Sequence, residues 1–490
     1  MATMRRGIAL QTAVLWTCYV VIICAAVAFV FETLRIRNAW PPATWPYSHD
    51  VPFITPLIAQ AGSEWHRTAI ILVAWSAAYI VALKCILQQP ERKAFPMAIM
   101  GVQIVVLLIT LGTRIPFNSD QYLYVAYGDL VDARMNPYDP PLKTATLPAQ
   151  LRAIGTVWSI NEGAPDATKR VVLRDRYGPL FTIATAAVLW PFRDASVELQ
   201  AWILRLTAAI AAIGCSIVLW LWGRRSGRGA AAIAAFALSP AIVLQVAQGA
   251  HNDIYALFFA LCAALLLTRR KPVLAAIAIA ASVGIKLTFA PFIVPFALYL
   301  LAKRGIVPAV LSLVAFVGTL GILALPFGLV HALVQPVADI QRFNGSYLVH
   351  LLTRGAQHLP AALRLSYARL ATLYDAGLLV CLAAIGYSAS RGWAAWRSMG
   401  LLLLLIFAAG HLEPWYAMIL APLLLFRTSW SLPVFAGVSL ALQIFQSGGF
   451  VGSYDKLPFT SFVVLAVGLV AVLMMLYTNL PERLRLSLAG

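Results

Sequence analysis

The feature that most constrains the fold of this chain is its series of long apolar runs. A helix needs about 20 apolar residues to cross the hydrocarbon core of a bilayer. Stretches that approach this length are residues 8–31, 68–88, 95–113, 199–222, 229–247, 253–268, 272–286, 288–302, 306–326, 369–390, 396–410, 414–427, 430–446 and 458–477. Only 11% of the 490 residues are charged, far below the roughly 25% of a soluble domain. We therefore predict an all-α polytopic membrane protein, a bundle of about 12–14 transmembrane helices.

Positive charge falls on alternate connections between these runs. Basic clusters stand at Arg5-Arg6, Arg92-Lys93, Arg224-Arg225, Arg269-Arg270-Lys271, Lys303-Arg304, and at Arg483 and Arg485. Because cytoplasmic loops carry an excess of Lys and Arg, this alternation predicts a cytoplasmic N-terminus. It also accounts for the net charge of +18 without a nucleic-acid partner. The stretch 178–192 would break the alternation if it were a span, so we interpret it as an interfacial or re-entrant helix on the outer face.

The same alternation divides the chain into five parts. We predict three N-terminal transmembrane helices over 1–113, an outer loop with interfacial helices over 114–198, central transmembrane helices over 199–326, a second outer loop over 327–368, and C-terminal transmembrane helices over 369–490. A loop as long as the first one is uncommon unless it carries function. The first outer loop is therefore the natural place for an active site.

The first polar candidate is Asp120, in the sequence Phe117-Asn118-Ser119-Asp120-Gln121-Tyr122 directly after the third run. A carboxylate at the boundary between water and lipid is partly desolvated, which raises its pKa toward the range of a general base. The alternative is a helix N-cap formed by Ser119 or Asp120. The stretch continues through Tyr124 and Tyr127, helical neighbours that can line one face, to a tight Asn136-Pro137-Tyr138 turn.

Two further candidates are predicted on the outer side. The turn Gly249-Ala250-His251-Asn252-Asp253 places three polar side chains at membrane depth, where such residues are costly and usually functional. A satisfied hydrogen-bond network with a helix N-cap is the alternative. Lys286 separates two short apolar pieces, and it can either snorkel to the outer interface or bind a lipid-borne phosphate. Arg176 and Arg205 add charge suited to phosphate in the same layer.

The last candidates form another predicted outer turn, His411-Leu412-Glu413-Pro414-Trp415-Tyr416. Its two aromatic residues suit either an interface belt or a substrate platform. His411 and Glu413 are possible metal ligands, but no third ligand stands at a fixed spacing from them. We therefore predict no metal site.

Together these motifs resemble those of the GT-C superfamily of integral-membrane glycosyltransferases, and more narrowly the bacterial polyprenol-phosphate-mannose-dependent mannosyltransferases. The resemblance rests on Ser119-Asp120-Gln121-Tyr122 with Gly128 and Asn136-Pro137-Tyr138, on Tyr177-Gly178-Pro179-Leu180, on the 249–253 turn, on Lys286 and on Glu413-Pro414-Trp415-Tyr416. The sequence departs from the pattern of this family in two respects. Two additional spans precede the aspartate loop, and Tyr-Gly-Pro-Leu stands where Tyr-Pro-Pro-Leu is commoner.

The resemblance implies a GT-C-like bundle in the plasma (bacterial inner) membrane with its active site on the outer face. It implies transfer of a hexose, with mannose favoured, from a polyprenyl-phosphate donor to a lipid or cell-envelope glycan acceptor by one inverting displacement. Asp120 would be the catalytic base, and the donor phosphate would be bound by Lys286, Arg176, His251 and Arg205. Residues expected to contact substrate are Tyr122, Tyr124, Asn252, Asp253, Tyr177, His411, Glu413, Trp415 and Tyr416. No cofactor or metal is expected, because a leaving phosphate needs only stabilised negative charge.

Two alternatives share these features. A related transferase that uses another polyprenyl-phosphate sugar, such as arabinose, aminoarabinose or glucose, would carry the same motifs. A lipid-sugar transporter or flippase could also place a lysine between half-length helices. Transporters, however, hold their charges near the midplane and usually contain inverted repeats, and no repeat is visible here, so the transferase is preferred.

Overall fold

The computed structural model describes residues 2–38, 65–88, 94–113, 120–139, 159–160, 171–172, 174–224 and 228–336, with single positions between 418 and 439. The helices are α1 Ala2–Asn38, α2 Trp65–Gln88, α3 Ala94–Leu111, α4 Asp120–Asp132, α5 Pro179–Leu189, α6 Val197–Gly223, α7 Gly229–Ala237, α8 Pro240–Gly249, α9 Asp253–Thr268, α10 Pro272–Ile285, α11 Ile293–Arg304, α12 Ile306–Ala324 and α13 Leu329–Leu333. Short 3-10 turns lie at Trp190–Phe192, Leu287–Phe292 and Leu325–Phe327. In the described ranges, β1 (Ser159–Ile160) and β2 (Val171–Val172) form the one antiparallel strand pair.

The prediction of an all-α polytopic membrane protein is confirmed. Among the described residues, five helices are long and apolar enough to cross a membrane, and α7 with α8 makes a sixth if the bent pair is one span. Those five are Ala9–Arg35, Ile70–Gln88, Val197–Gly223, Leu287–Arg304 and Ile306–Phe327. Four other apolar helices are shorter: Phe95–Leu111, Pro179–Phe192, Asp253–Thr268 and Pro272–Ile285. Helices therefore occupy every predicted span up to residue 326, while the spans predicted beyond 368 lie almost wholly outside the described residues.

The bend between α7 and α8 has a local cause. The two helices meet at 53°, and Pro240 is the first residue of the second one. Proline has no backbone N–H to donate to the preceding turn, and it disfavours helical geometry in the residue before it. Side chains of α2 satisfy backbone carbonyls there. Trp75 Nε1 donates to the Leu238 carbonyl at 3.2 Å, and the Tyr79 hydroxyl donates to the Ala235 carbonyl at 2.9 Å.

Two short helices in the segment predicted as the first outer loop, α4 and α5, pack on the central helices. Helix α4 packs on α5 and α6, and α5 packs on α10. Glycines allow both close approaches. A Cβ at Gly128 would lie 3.2 Å from Thr185 Cγ2, and one at Gly178 would lie 2.3 Å from the Gly284 carbonyl oxygen. The stretch predicted as an interfacial helix is thus a helix, α5, whose backbone touches that of α10.

Candidate active site

Asp120 is the first residue of α4. Its side chain is 29% exposed, and its Oδ2 lies 3.7 Å from Nδ1 of His251, which is 1% exposed. Burial raises the pKa of Asp120 to about 6, against the opposing effect of the Lys286 ammonium. Asp253 raises this pKa further, and Arg176 lowers it. The structure therefore brings together a carboxyl suited to general-base chemistry and several of the residues predicted to act with it.

The turn that carries His251 is tight and strained. Ala250 ends α8 with φ 48° and ψ 30°, a left-handed conformation that costs a non-glycine residue about 1–2 kcal/mol. The ring of His251 folds back over Gly249, so that a Cβ at residue 249 would lie 2.4 Å from His251 Cδ2. Burial, with the Lys286 ammonium, lowers the pKa of His251 well below its usual range. His251 is therefore a neutral imidazole beside the Asp120 carboxyl.

Lys286 is paired with Asp253. Its Nζ lies 2.5 and 2.6 Å from the two carboxylate oxygens, with the lysine side chain 12% exposed and the aspartate 0%. The lysine ends α10 in an extended conformation, and the freed Ile285 carbonyl accepts from Gly178 N at 3.0 Å and Asn252 Nδ2 at 3.5 Å. The break in α10 thus ties three chain segments together next to a buried ion pair.

Aromatic rings from α4 and the 174–178 segment form one wall of the site. The Tyr124 and Tyr177 rings meet edge to face with centroids 5.0 Å apart, and Tyr127 lies 6.2 Å from Tyr177. The Tyr124 hydroxyl is within hydrogen-bonding reach of Tyr177 and of the Asn252 backbone. Tyr124, Tyr177, Asn252 and Asp253 are therefore neighbours in space, as a shared substrate site requires.

Arg205 has a different environment. Its guanidinium donates to the Thr113 carbonyl at 2.7 Å, the Thr110 carbonyl at 3.1 Å and the Leu111 carbonyl at 3.2 Å, and Nε donates to the Ala247 carbonyl. It also reaches Thr113 Oγ1 at 2.8 Å. These carbonyls lie at the ends of α3 and α8, where backbone acceptors lack helical partners. The contacts favour a structural role, and we leave Arg205 out of the proposed phosphate site.

The structure says less about the remaining residues that the sequence predicted to contact substrate. Tyr122 lies in the first turn of α4. His411, Glu413, Trp415 and Tyr416 lie outside the described residues, so their part in the site stays a prediction. Within the described ranges, no three His, Cys, Asp or Glu side chains form a group that could hold a metal ion.

One residue of this region was missed in the sequence. Asp175 is 1% exposed, and burial raises its pKa to about 7 against hydrogen bonds from Thr182 and other donors. A signal was present, since Asp175 stands two residues before Tyr177 and accepts the Tyr177 N–H at 2.8 Å, as aspartates do in turns.

Fold and site together define a polytopic helical membrane protein with a carboxyl and an ion pair at its helix ends, the arrangement expected of a membrane glycosyltransferase. The model of the alpha-(1->6)-mannopyranosyltransferase family, N-terminal domain, matches residues 25–303, more than half of the chain. The chain belongs to this mannosyltransferase family, and the matched range includes Asp120, His251 and Lys286. No curated protein and no solved structure matches the chain.

Proposed function

We propose that this mannosyltransferase takes mannose from a polyprenyl-phosphate donor and delivers it to a lipid or cell-envelope glycan acceptor on the outer face of the plasma membrane. The observation that carries the proposal is the position of Asp120, an accessible carboxyl with a raised pKa, 3.7 Å from His251 and in the field of Lys286 and Arg176. A base and an anion-binding region side by side are what transfer from a sugar phosphate needs.

Asp120 acts as the base in this mechanism. It takes the proton from the acceptor hydroxyl as that oxygen bonds to the anomeric carbon of the donor sugar. The bond between the anomeric carbon and the phosphate oxygen breaks at the same time, and polyprenyl phosphate leaves with the electron pair. A pKa near 6 leaves Asp120 deprotonated at neutral pH while keeping it a stronger base than an ordinary aspartate.

The leaving phosphate is stabilised by the cationic side of the site. Lys286 forms an ion pair with Asp253, and Lys286 and Arg176 are two cations that both act on the Asp120 carboxyl. Neutral His251 adds a ring nitrogen beside Asp120. Because phosphate is a good leaving group, charge stabilisation replaces the second carboxyl that a glycosidase uses to protonate its leaving group.

The family description suggests the linkage of the product. Its members are described as alpha-(1->6)-mannopyranosyltransferases, and a single inverting displacement forms an α-linkage from a β-linked donor. We therefore propose an acceptor with a free primary 6-hydroxyl. Linkage analysis and the anomeric coupling of the purified product test this part directly.

The central test uses purified protein in proteoliposomes with radiolabelled polyprenyl-phosphate mannose. Asp120→Asn is expected to lower transfer by about 100- to 10,000-fold, the range for loss of a general base. Asp129→Asn is the matched control, because Asp129 lies on the same helix and also has a pKa raised by burial, to about 7. Full activity in Asp120→Asn would show that the base assignment is wrong.

A donor panel and a topology test complete the case. Polyprenyl-phosphate arabinose and glucose should be poor donors, and a preference for either would show that the chain is the related transferase with another donor sugar.

The topology test uses two arginines on opposite sides of the predicted membrane. Arg193, which is about half exposed, marks the proposed outer side, and Arg270 marks the proposed cytoplasmic side. A cysteine at Arg193 should react with an impermeant maleimide in intact cells and one at Arg270 should not; the reverse result would place the site inside.

A further inference from the structure

The segment 174–178 is held by a buried carboxyl, that of Asp175. Its Oδ1 accepts from Tyr177 N at 2.8 Å, and its Oδ2 accepts from the Thr182 hydroxyl at 2.5 Å. The Arg176 N–H and the Tyr138 hydroxyl also lie within hydrogen-bonding reach of this carboxyl. A carboxyl that is 1% exposed and accepts from donors of its own segment and of α5 holds the backbone of this segment in place.

The same segment is tied to three neighbouring elements. Asp175 N donates to the Pro137 carbonyl at 2.9 Å, and the Tyr127 hydroxyl of α4 donates to the Arg174 carbonyl at 2.9 Å. At the other end, Gly178 N donates to the Ile285 carbonyl at 3.0 Å. The segment therefore spans the gap between α4, which carries Asp120, and the break in α10, which carries Lys286.

The Asn136-Pro137-Tyr138 turn also contacts the segment around the Asp175 carboxyl. Tyr138 is 2% exposed; its hydroxyl donates to the Tyr177 carbonyl at 3.0 Å and lies 2.9 Å from Thr182 Oγ1. Asn136 holds the turn, since its Oδ1 accepts from Tyr138 N at 3.1 Å and its Nδ2 donates to the Phe327 carbonyl at 3.0 Å. This motif, which the proposed chemistry leaves unused, thus acts on the segment through Tyr138.

We propose that Asp175 is a positioning residue: with Thr182 and Tyr138 it holds Arg176 and Tyr177 in place for the donor phosphate and sugar. The inference rests on the proposed function, because it assigns Arg176 and Tyr177 to the donor. Arg176 is close enough to affect Asp120, and the Tyr177 ring packs on Tyr124. Loss of the carboxyl would release both side chains together.

The first measurement is the binding of polyprenyl phosphate, the leaving product of the proposed reaction, to purified protein in nanodiscs. Asp175→Asn and Thr182→Val each remove part of the bonding around the carboxyl. Thr185→Val is the matched control, because Thr185 is buried one turn further along α5 and takes part in none of the bonds described above. We expect the dissociation constant to rise about tenfold in the first two variants, because that factor corresponds to the loss of one hydrogen bond to a charged group. In the control it should stay at the wild-type value.

The second measurement separates positioning from a general loss of stability. In transfer assays, Asp175→Asn should raise the KM for polyprenyl-phosphate mannose about tenfold and leave kcat within about threefold of wild type. In a double-mutant cycle with Arg176→Gln, the combined loss should equal the larger single loss, because both substitutions remove the same contact. Reduced stability alone would produce neither pattern.

The outcomes distinguish this inference from the proposed function. If wild-type protein neither binds polyprenyl phosphate nor uses the donor, both are overturned. If wild-type protein is active while Asp175→Asn and Thr182→Val match it in binding and KM, the positioning role alone is overturned. Strictly additive losses in the double-mutant cycle would also overturn it. If Asp175→Asn does not fold, Thr182→Val, which keeps the carboxyl, still decides between these results.

Discussion

Two cations at helix positions near the candidate site, Lys286 and Arg205, look alike in the sequence and differ in the structure. Lys286 ends one apolar run and Arg205 lies within another, and the sequence predicts both as ligands of a donor phosphate. Lys286 is paired with the carboxylate of Asp253 and acts on Asp120. Arg205 donates to main-chain carbonyls at the ends of α3 and α8. One cation belongs to the candidate site and the other to the framework around it.

The difference shows how the partner of a buried cation indicates its role. A helix-end carbonyl has few other acceptable partners, so a guanidinium that binds several of them completes the backbone hydrogen bonding. An aspartate neutralises a lysine and leaves a charged pair in place, next to a residue that can do chemistry. The following predictions test this contrast, from the largest expected effect to the smallest.

Lys286→Met should have the largest effect of the substitutions on this contrast. Transfer should fall roughly 100- to 1,000-fold, the cost of removing one donor to a developing anion. The protein should also lose roughly 3–5 kcal/mol of stability, because Asp253 is left as a buried charge without this partner. Transfer assays and thermal unfolding in detergent measure the two effects.

A second variant separates those two effects. Lys286→Met combined with Asp253→Asn removes both charges, so stability should largely return while transfer stays low. Restored transfer in the double variant would mean that Lys286 is needed only to neutralise Asp253, and the phosphate assignment would fail.

Arg205→Met should affect stability and leave recognition intact. It removes the guanidinium donor from the Thr113 and Ala247 carbonyls, at a cost of roughly 1–3 kcal/mol for each group that becomes unsatisfied. The midpoint of thermal unfolding should fall, and the KM for the donor at a permissive temperature should stay unchanged. A rise in that KM comparable with the effect of Lys286→Met would remove the distinction between the two cations.

The pH dependence of transfer should show a smaller and graded effect. Asp120 acts as a base only when deprotonated, so the rate should fall about tenfold for each pH unit below its pKa, which is about 6 rather than 3.8. The groups that face it are Lys286, Asp253, Arg176 and His251, and burial lowers the pKa of His251 well below its usual range. A wild-type profile flat down to pH 4 would contradict the assignment.

The smallest effect is expected for Ala250→Gly. Glycine removes the left-handed strain at this position, worth about 1–2 kcal/mol, but loses about 0.5–1 kcal/mol through its greater freedom in the unfolded chain. The net gain in stability should lie between about 0 and 1.5 kcal/mol, with transfer unchanged. A clear loss of transfer would show that the strain in the turn helps to hold His251 beside Asp120.

The helices could be predicted from the sequence because the signals for them are local. Apolar run length and basic clusters predicted helices at every described span, and prolines begin α5, α8 and α10. The short length of α9 and α10 was visible in the sequence too. The 53° bend at Pro240 was not predicted from the sequence, although the proline is a local signal for it, and the strand pair of β1 and β2 was not predicted either.

The site was only partly predictable, for a physical reason. Asp120, His251 and Lys286 stand out because polar residues near lipid are rare. The partner of a side chain, however, is set by contacts between distant parts of the chain. Arg205 meets a carbonyl 92 residues away, and Asp175 is supported by Tyr138 through Thr182, 44 residues further along. Such contacts depend on helix packing, which run length and charge do not specify.

The contact between Gly178 and Gly284 has a consequence for how a lipid reaches the site. The two backbones are so close that even a methyl group at residue 178 would lie 2.3 Å from the facing carbonyl oxygen. A polyprenyl chain, which is several ångströms thick along its whole length, cannot slide between α5 and α10 at this point. We therefore propose that the tail of a polyprenyl-phosphate donor, the donor of the proposed function, enters on another side of Lys286.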